Sequence, residues 1–309
     1  MTERQKQQNT VSRSVRRWIS GNTASLEGKT AAVTGSTGSI GTALCGYLAS
    51  LGASLILVDR NRGKSEAFRD RLRAEYGVQA ECLTADMSDA AGVKEAAEAL
   101  EKRPVDFLVL NAGAYRIPRE ETAFGTENVF QINFLSPYFL ARTLLPSLRA
   151  RKGRVVAVGS LAHLFAKTDP ADPDFRNVRN GGKVYGNSKR YLMWALMDLF
   201  AGEKDASLAV SHPGISYTNL LSNYPPLLDA LVRYPMKALF LRPEKACLPI
   251  LRGFFEATEA DEWIGPRVFS IWGLPAKKAL HSVKEEERAQ ICRTAEEMYR
   301  KMRAYGAHG

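Results

Sequence analysis

No apolar run in this chain approaches the roughly 20 residues that a membrane-spanning helix needs, which excludes a helical span and predicts a soluble protein. Cysteine is scarce: Cys45, Cys82, Cys247 and Cys292 lie far apart without a Cys-x-x-Cys pair, so neither a metal ribbon nor a disulfide framework is expected. Four histidines show no ligand spacing, and no metal is expected. The first residues are polar and basic and lack the apolar core of a signal peptide, so the expected location is the cytoplasm. No nucleic-acid module is recognisable; the net charge of +10 comes from basic residues that alternate with acids, the pattern of a solvated surface, and no nucleic-acid partner is expected. No break in composition divides the 309 residues, and 45% hydrophobic and 25% charged residues are ordinary for a globular α/β chain. One catalytic-sized domain over residues 26–309, preceded by a basic extension over 1–25, is the expectation.

What is present is organised around Lys29-Thr-Ala-Ala-Val-Thr-Gly-Ser-Thr-Gly-Ser-Ile-Gly41. A short apolar strand runs into glycines at 35, 38 and 41, and Ala43, Leu44, Leu48 and Leu51 then recur at helical spacing. Strand, glycine turn and helix start together make an anion seat, because glycine permits positive φ and close backbone approach while a helix start offers free N–H groups. Gly35, Ser36, Thr37, Gly38, Ser39, Ile40 and Gly41 are therefore candidate dinucleotide ligands. The second strand, Ser54 to Asp59, ends in an acid where a carboxylate would meet the adenosine ribose hydroxyls.

Further along, helices are predicted over 62–76, 90–102, 121–150 and from 184 to 202, and strands over 78–84, 105–110, 154–159 and 207–211, the last closing the regular part. Alternation of apolar strands with helices predicts a doubly wound, Rossmann-type parallel sheet with helices on both faces. Asp59, Asp86, Asn111 to Gly113, Ser160, and Pro213 with Gly214 each close a predicted strand, so one rim of the sheet is the active side. Near the start of the 184–202 helix, Tyr185 and Lys189 stand four residues apart on one face, and a nearby ammonium would bring the tyrosine towards its working range as a base. Val11 to Ser20 reads as a short basic amphipathic helix, a docked or frayed terminus being favoured over lipid contact.

At these residues the chain resembles the short-chain dehydrogenase/reductase superfamily, over about residues 28–218. The resemblance implies Tyr185 as general acid/base, Lys189 as its pKa modulator and a nicotinamide-ribose ligand, and Ser160 as the donor that polarises the substrate carbonyl. Asn133, in Gln131-Ile-Asn-Phe-Leu-Ser-Pro137, would hold a water that links the lysine to solvent. It also implies cofactor contacts from Asp86 and Met87 at the adenine edge, from Asn111, Ala112 and Gly113 beside the ribose, and from Pro213, Gly214, Ile215 and Thr218 over the nicotinamide. Two features depart from the common pattern. The glycines are spaced TGxxGxxG, as in the extended branch of epimerases and dehydratases, and the interval from Ser160 to Tyr185 is long, which with Ser160-Leu-Ala-His163 resembles the retinol-dehydrogenase-like group.

The expected activity is NAD(P)-dependent interconversion of an alcohol and a carbonyl by direct hydride transfer. The alternatives are an extended-type nucleotide-sugar epimerase or dehydratase, and a dinucleotide sensor without turnover. The segment 217–243, rich in leucine, tyrosine and phenylalanine, matches the family's substrate lid and points to a bulky apolar substrate, though it would equally serve a homo-oligomer contact; a C-terminal helical segment is expected over 283–305. NAD is expected over NADP by roughly tenfold to a hundredfold, because Asp59 would repel a 2′-phosphate more than Arg60 would attract it, and Asp59→Ser would shrink or reverse the preference.

Overall fold

Strand β1 (Thr30–Thr34) sits inside the sheet because Ala31, Ala32 and Val33 offer no polar side chain to water, and all three are fully buried. The computed structural model describes residues 13–169, 171–173, 175–214 and 241–306. After β1 come α2 (Ser39–Ser50), β2 (Ser54–Asp59), α3 (Arg62–Tyr76), β3 (Ala80–Thr84), α4 (Ala90–Glu101) and β4 (Phe107–Leu110); α1 (Arg13–Asn22) precedes them. Helix α5 is assembled from Asn128–Phe130, a π turn at Gln131–Leu135, and Ser136–Ala150. Then follow β5 (Arg154–Val158), a 3-10 turn (Leu161–Phe165), α6 (Gly181–Leu199) and β6 (Ser207–Ser211). The remainder is α7 (Pro243–Ala246), α8 (Leu248–Gly253), β7 (Glu262–Val268), β8 (Trp272–Ala279) and α9 (Glu285–Ala304).

The eight strands lie in the order β3-β2-β1-β4-β5-β6-β7-β8. Pairing is parallel except between β7 and β8. The winding direction reverses between β1 and β4, and such a switch opens a crevice at the strands' carboxyl ends. One apolar layer packs α4, α5, α6 and α9 on the sheet, and the other packs α1, α2, α3, α7 and α8. Local signals set the helix ends: the Asn61 side chain accepts from the Lys64 N–H to start α3, and Gly77 at φ 69° stops it.

One expectation is narrowed and two change. Helix α1 is docked, with Val15 and Trp18 buried in the second layer while Arg13, Arg16 and Arg17 face outward, so its apolar face is not available to lipid. The helix expected from 121 begins at Asn128, because Glu121 and Glu127 pair as an isolated bridge that holds the preceding loop. Regular structure does not close at Ser211: β7 extends the sheet and β8 returns along it antiparallel, so the sheet is not wholly parallel. Gly265 and Pro266 inside β7 hid that strand, since both residues argue against one.

The long interval between Ser160 and Tyr185 is pinned from within. Phe175 is fully buried, with its ring 5.1 Å from Phe130 and 5.7 Å from Tyr191, so the insertion is anchored to α5 and α6 by an aromatic cluster.

Candidate active site

The ends of β1 and β4 are knitted together before any ligand is considered. Thr34 Oγ1 donates to the Val109 carbonyl at 3.0 Å and accepts from the backbone N–H groups of Asn111 and Ala112, each at 3.0 Å. The Asn111 amide donates to the carbonyls of Thr34 and Gly35, both at 3.0 Å. Gly35, at φ 65°, is the one glycine of the turn in the left-handed region, and a Cβ there would stand 2.9 Å from the Ala112 backbone. At Gly41 a Cβ would stand 2.2 Å from the Gly35 carbonyl. Both glycines are thus demanded by chain packing itself, not only by a ligand's approach.

The turn's other polar groups converge on Asp59. Its carboxylate, 4% exposed, accepts from Ser36 Oγ at 2.5 Å, Thr37 N at 3.0 Å, Thr37 Oγ1 at 2.9 Å and Ser65 Oγ at 3.3 Å. Those four donors occupy the carboxylate's acceptor sites, so Asp59 braces the glycine turn against β2 and the start of α3. Arg60 beside it is exposed. Helix α2 begins behind Gly38, which supplies no side-chain cap, leaving first-turn N–H groups for an anion. Turn, uncapped helix and bracing acid fit a dinucleotide's pyrophosphate. At the end of β3, Asp86 Oδ1 accepts from Ser88 N and Ser88 Oγ at 2.9 and 2.7 Å, and the buried Met87 presents its carbonyl to Ser136 Oγ at 2.6 Å.

Across the crevice, Ser160, Tyr185 and Lys189 line one cavity of about 960 Å³ together with Ile40, Asn111, Gly113, Pro213 and Gly214. Ser160 leaves the end of β5; its oxygen accepts from the Ala162 N–H at 3.2 Å, and its hydroxyl is placed to lower the Tyr185 pKa. Helix α6 starts at an Asn180 cap that accepts from the N–H groups of Gly182 and Lys183, and this start sets the phase that turns Tyr185 and Lys189 to the same side. Burial raises the tyrosine pKa, the Ser160 hydroxyl opposes that rise, and the Tyr115 ring adds to it. Lys189 is 3% exposed, its ammonium donates to the Val158 carbonyl at 2.8 Å, and burial pushes its pKa down to about 8. The helical spacing does align the pair, yet burial, and not the ammonium, sets the tyrosine's direction of shift.

Asn133 lies on the π turn of α5. Its Oδ1 accepts from Ala114 N at 2.8 Å, and its amide donates to the Ala114 carbonyl at 2.8 Å and to Ser188 Oγ at 3.2 Å. Gly113 lies between Asn133 and Lys189: a Cβ there would be 3.1 Å from Asn133 Oδ1 and 3.6 Å from Lys189 Nζ. A π turn admits one extra residue, which lets the helix aim a fully buried amide at the β4 end without breaking its apolar faces.

The cavity therefore gathers Ser160, Tyr185, Lys189, Asn111, Gly113, Pro213 and Gly214, whereas Asp59, Arg60, Asp86 and Met87 stand apart from it at the ends of β2 and β3. Ile215, Thr218 and the lid expected over 217–243, up to residue 240, lie outside the described residues. Sequence reasoning missed several wall residues. Tyr115 stands edge-on to Tyr185 at 4.8 Å. His212 stacks on Trp263 at 4.6 Å, accepts from Gly214 N at 3.2 Å through Nδ1 and meets the Ser270 carbonyl at 2.6 Å through Nε2. Behind the wall, His163 stands edge-on to Trp263 at 5.3 Å and meets the Ser160 carbonyl at 2.6 Å. Burial pushes both histidines down to about 4, so they are neutral positioning groups at ordinary pH. The sequence signals here were the adjacency of His212 to Pro213-Gly214 and the Ser160-Leu-Ala-His163 stretch. Among the described residues no cluster of side chains could hold a metal ion, and no helix is long and apolar enough to cross a membrane.

With this geometry established, similarity to known proteins is informative. Residues 29–168 match the family model described as short chain dehydrogenase. Mouse polyprenol dehydrogenase is 31% identical over 252 residues, spanning 78% of this chain and 75% of that one. Human retinol dehydrogenase 13 is 31% identical over 206 residues, spanning 64% of this chain and 62% of that one. Among solved structures, the 3-oxoacyl (acyl-carrier-protein) reductase of Agrobacterium tumefaciens with NADP bound is 30% identical, with a TM-score of 0.58 over 76% of this chain and 90% of that one.

Proposed function

The chain belongs to the short-chain dehydrogenase/reductase family, in its retinol-dehydrogenase-like group, and we propose that it interconverts a bulky apolar alcohol and its carbonyl using Tyr185 as the general acid/base. As a family member it is an NAD(P)-dependent oxidoreductase, and relatives named as dehydrogenases and reductases support this reading over the sensor and epimerase ones. The observation that carries the mechanism is that Ser160, Tyr185 and Lys189 line one cavity, with the Ser160 hydroxyl placed to lower the Tyr185 pKa.

The dinucleotide, seated on the turn of Gly35 to Gly41 with Asn111 to Gly113 beside its adenosine ribose and Pro213 to Gly214 at its nicotinamide half, would supply or accept the hydride. The protein's residues handle the proton. In reduction the Tyr185 hydroxyl gives its proton to the carbonyl oxygen, and Ser160 turns its hydroxyl from the phenol to that oxygen as negative charge grows there. The pKa raised by burial keeps Tyr185 protonated for this direction. Oxidation requires the phenolate, and Lys189, one helical turn on along α6 and lining the same cavity, is the cation we assign to favour it.

Lys189 is charged below about pH 8 and loses its charge above that value, against an ordinary value of 10.5. An anionic dinucleotide favours the charged form and moves the loss upward. Dinucleotide affinity is thus expected to fall between about pH 8 and 10.5. Lys189→Met should bind more weakly and show no such fall; fluorescence titration across this range checks it, and a wild-type affinity that stays flat would remove Lys189 from the ribose contact.

The choice between NAD and NADP rests on Asp59 and Arg60. Sequence reasoning ranks NAD first by the charge of Asp59, but that carboxylate already accepts from four donors of its own chain. Its repulsion of a 2′-phosphate is therefore offset by fixed dipoles, while the exposed Arg60 is available to a phosphate. We put any NAD preference at no more than about threefold, well below the range argued from sequence. Asp59→Ser should weaken both dinucleotides by about tenfold, because it releases Ser36 and Thr37, instead of reversing the ratio. Arg60→Ala should weaken NADP alone. Dissociation constants for both cofactors in the two variants decide this, and a clean reversal in Asp59→Ser would restore the ribose-facing reading.

The substrate end of the cavity is walled by Leu161, Leu164, Phe165, Phe269 and Ile271 with Tyr115, which favours a large apolar molecule. Two relatives are named for polyprenol and retinol, both long apolar alcohols. A screen of alcohols and ketones read by reduced-nicotinamide absorbance should return long-chain or polyisoprenoid substrates; turnover confined to short charged compounds would overturn the apolar reading. The cytoplasmic location remains part of this proposal.

A further inference from the structure

The large hydrophobic residues most exposed among the described ones are Leu164 (43%), Phe165 (85%), Val268 (45%) and Phe269 (81%). They come from two segments distant in sequence, the 3-10 turn after β5 and the tip of the β7–β8 hairpin. Leu164, Phe165 and Phe269 all line the one cavity that contains Ser160 and Tyr185, so these exposed groups surround its mouth. Isolated exposed apolar residues need no explanation, but a cluster rimming a cavity does.

The hairpin tip adds a second observation. Ile271 N donates to the Val268 carbonyl at 2.9 Å, closing a tight turn whose two central residues, Phe269 and Ser270, both have positive φ, 50° and 58°. Asn and Gly are the residues that adopt such a turn without strain, and a phenylalanine there is costly. The protein holds the costly residue in place from below: the Ser270 carbonyl meets His212 Nε2 at 2.6 Å, and Ser270 Oγ accepts from Lys278 Nζ at 3.1 Å. An exposed aromatic is thus presented on a clamped, strained tip, and strain of this kind marks function.

Cations flank the mouth and outnumber the one exposed carboxylate beside them, Asp169, two residues from Lys167. Lys167 and Arg267 adjoin the two apolar segments, Lys183 lines the cavity, and all three are exposed without an ion-pair partner among the described residues. From Leu161 to Thr168 and from Pro266 to Gly273 there is no acidic residue.

We propose that the mouth of this cavity docks on an anionic lipid bilayer, with Phe165 and Phe269 inserted below the headgroups and Lys167, Lys183 and Arg267 lying among them. Aromatic side chains below a ring of cations match the layering of a charged membrane surface, which neither a neutral lipid droplet nor bulk water offers. Such docking opens the cavity directly to the apolar phase, so a water-insoluble alcohol reaches Ser160 and Tyr185 without crossing water. This surface is distinct from α1, whose apolar face is buried. The inference rests on the proposed function only in taking this cavity as the substrate's, and its test is a binding measurement that does not require turnover.

The full chain should cosediment with phosphatidylcholine vesicles that contain phosphatidylserine, and far less with phosphatidylcholine alone. The Phe165→Ser/Phe269→Ser double variant should lose about a hundredfold in partition, since burying each phenylalanine is worth roughly tenfold or more. Both side chains are more than four-fifths exposed, so the variant keeps its fold, which circular dichroism verifies. Lys167→Gln/Lys183→Gln/Arg267→Gln should abolish the difference between the two lipids. Phe269→Trp should show a blue-shifted emission on anionic vesicles, quenched by brominated lipid. The Tyr185→Phe variant should bind vesicles like the unmodified chain, so that docking and catalysis succeed or fail separately. Absence of vesicle binding at low salt, or undiminished binding by the double phenylalanine variant, overturns the proposal; the latter is also the result expected if residues 215–240 of the same chain cover the rim. Self-association in the absence of lipid that the same double substitution abolishes would assign the rim to a second copy and overturn it equally.

Discussion

Replacing Tyr185 with phenylalanine is expected to lower turnover by about 10²–10⁴-fold, the range that a positioned general acid/base contributes, or about 2.7–5.5 kcal/mol of barrier. Dinucleotide affinity should change by less than about twofold. The structure explains why this substitution separates chemistry from binding. The ring keeps its edge contact with Tyr115, at 4.8 Å between centroids. Ser160 keeps the Ala162 N–H as a donor to its oxygen, so the loss of the phenol does not leave it unpaired. What disappears is the transferable proton alone. Single-turnover hydride transfer together with cofactor titration checks both halves, and a variant that retains more than about a tenth of the wild-type rate removes Tyr185 from the proton's path.

Gly41→Ala should be the most damaging small substitution in the glycine turn. A methyl group there would stand 2.2 Å from the Gly35 carbonyl and 2.9 Å from two backbone atoms of Ser36, and none of these is a flexible side-chain end. Either the turn or the first turn of α2 must move. Overpacking of this kind costs about 1–3 kcal/mol and sometimes more, and the upper end is expected because backbone yields less than side chains. In a chain of this size the upper end corresponds to a fall in Tm of roughly 5 °C. Displacing Ser36 also breaks its bond to Asp59, so affinity for both dinucleotides should drop by at least about tenfold. Gly46→Ala, five residues on in the same helix, is the control with the opposite sign. Its methyl would meet only the Tyr76 hydroxyl at 3.7 Å, and glycine to alanine within a helix is stabilising by about 0.5–1 kcal/mol. Thermal unfolding of the two variants tests the pair; equal effects from both would show that the crowding at Gly41 is relieved without cost.

The parts of this protein that follow from short-range chemistry were legible before any coordinates. Buried apolar strands, the Asp89 cap and the Gly77 stop gave the order of elements as far as β6, because each signal acts within a few residues of where it is written. The strand-end position of Asp59, Asn111, Ser160 and Gly214 was legible for the same reason: in a parallel sheet, sequence order alone places every strand terminus on the same rim. The β7–β8 hairpin was not legible, since Gly265 and Pro266 contradict a strand locally and are tolerated near the sheet's edge only through its pairing with β8. Helix α1 could be read as amphipathic, but whether its apolar face met protein or lipid depended on a layer built from α2 and α3.

By itself the sequence determined the doubly wound sheet, the glycine turn, and the placing of Ser160, Tyr185 and Lys189 on one rim, since strand direction and helical period carry that information along the chain. Only the tertiary structure decided what Asp59 faces, which way burial moves the Tyr185 and Lys189 pKa values, and that Phe165 and Phe269 line the same cavity. Those properties depend on groups distant in sequence, on desolvation by packed layers and on contacts between loops, and none of these has a period or a spacing that can be read along a single chain.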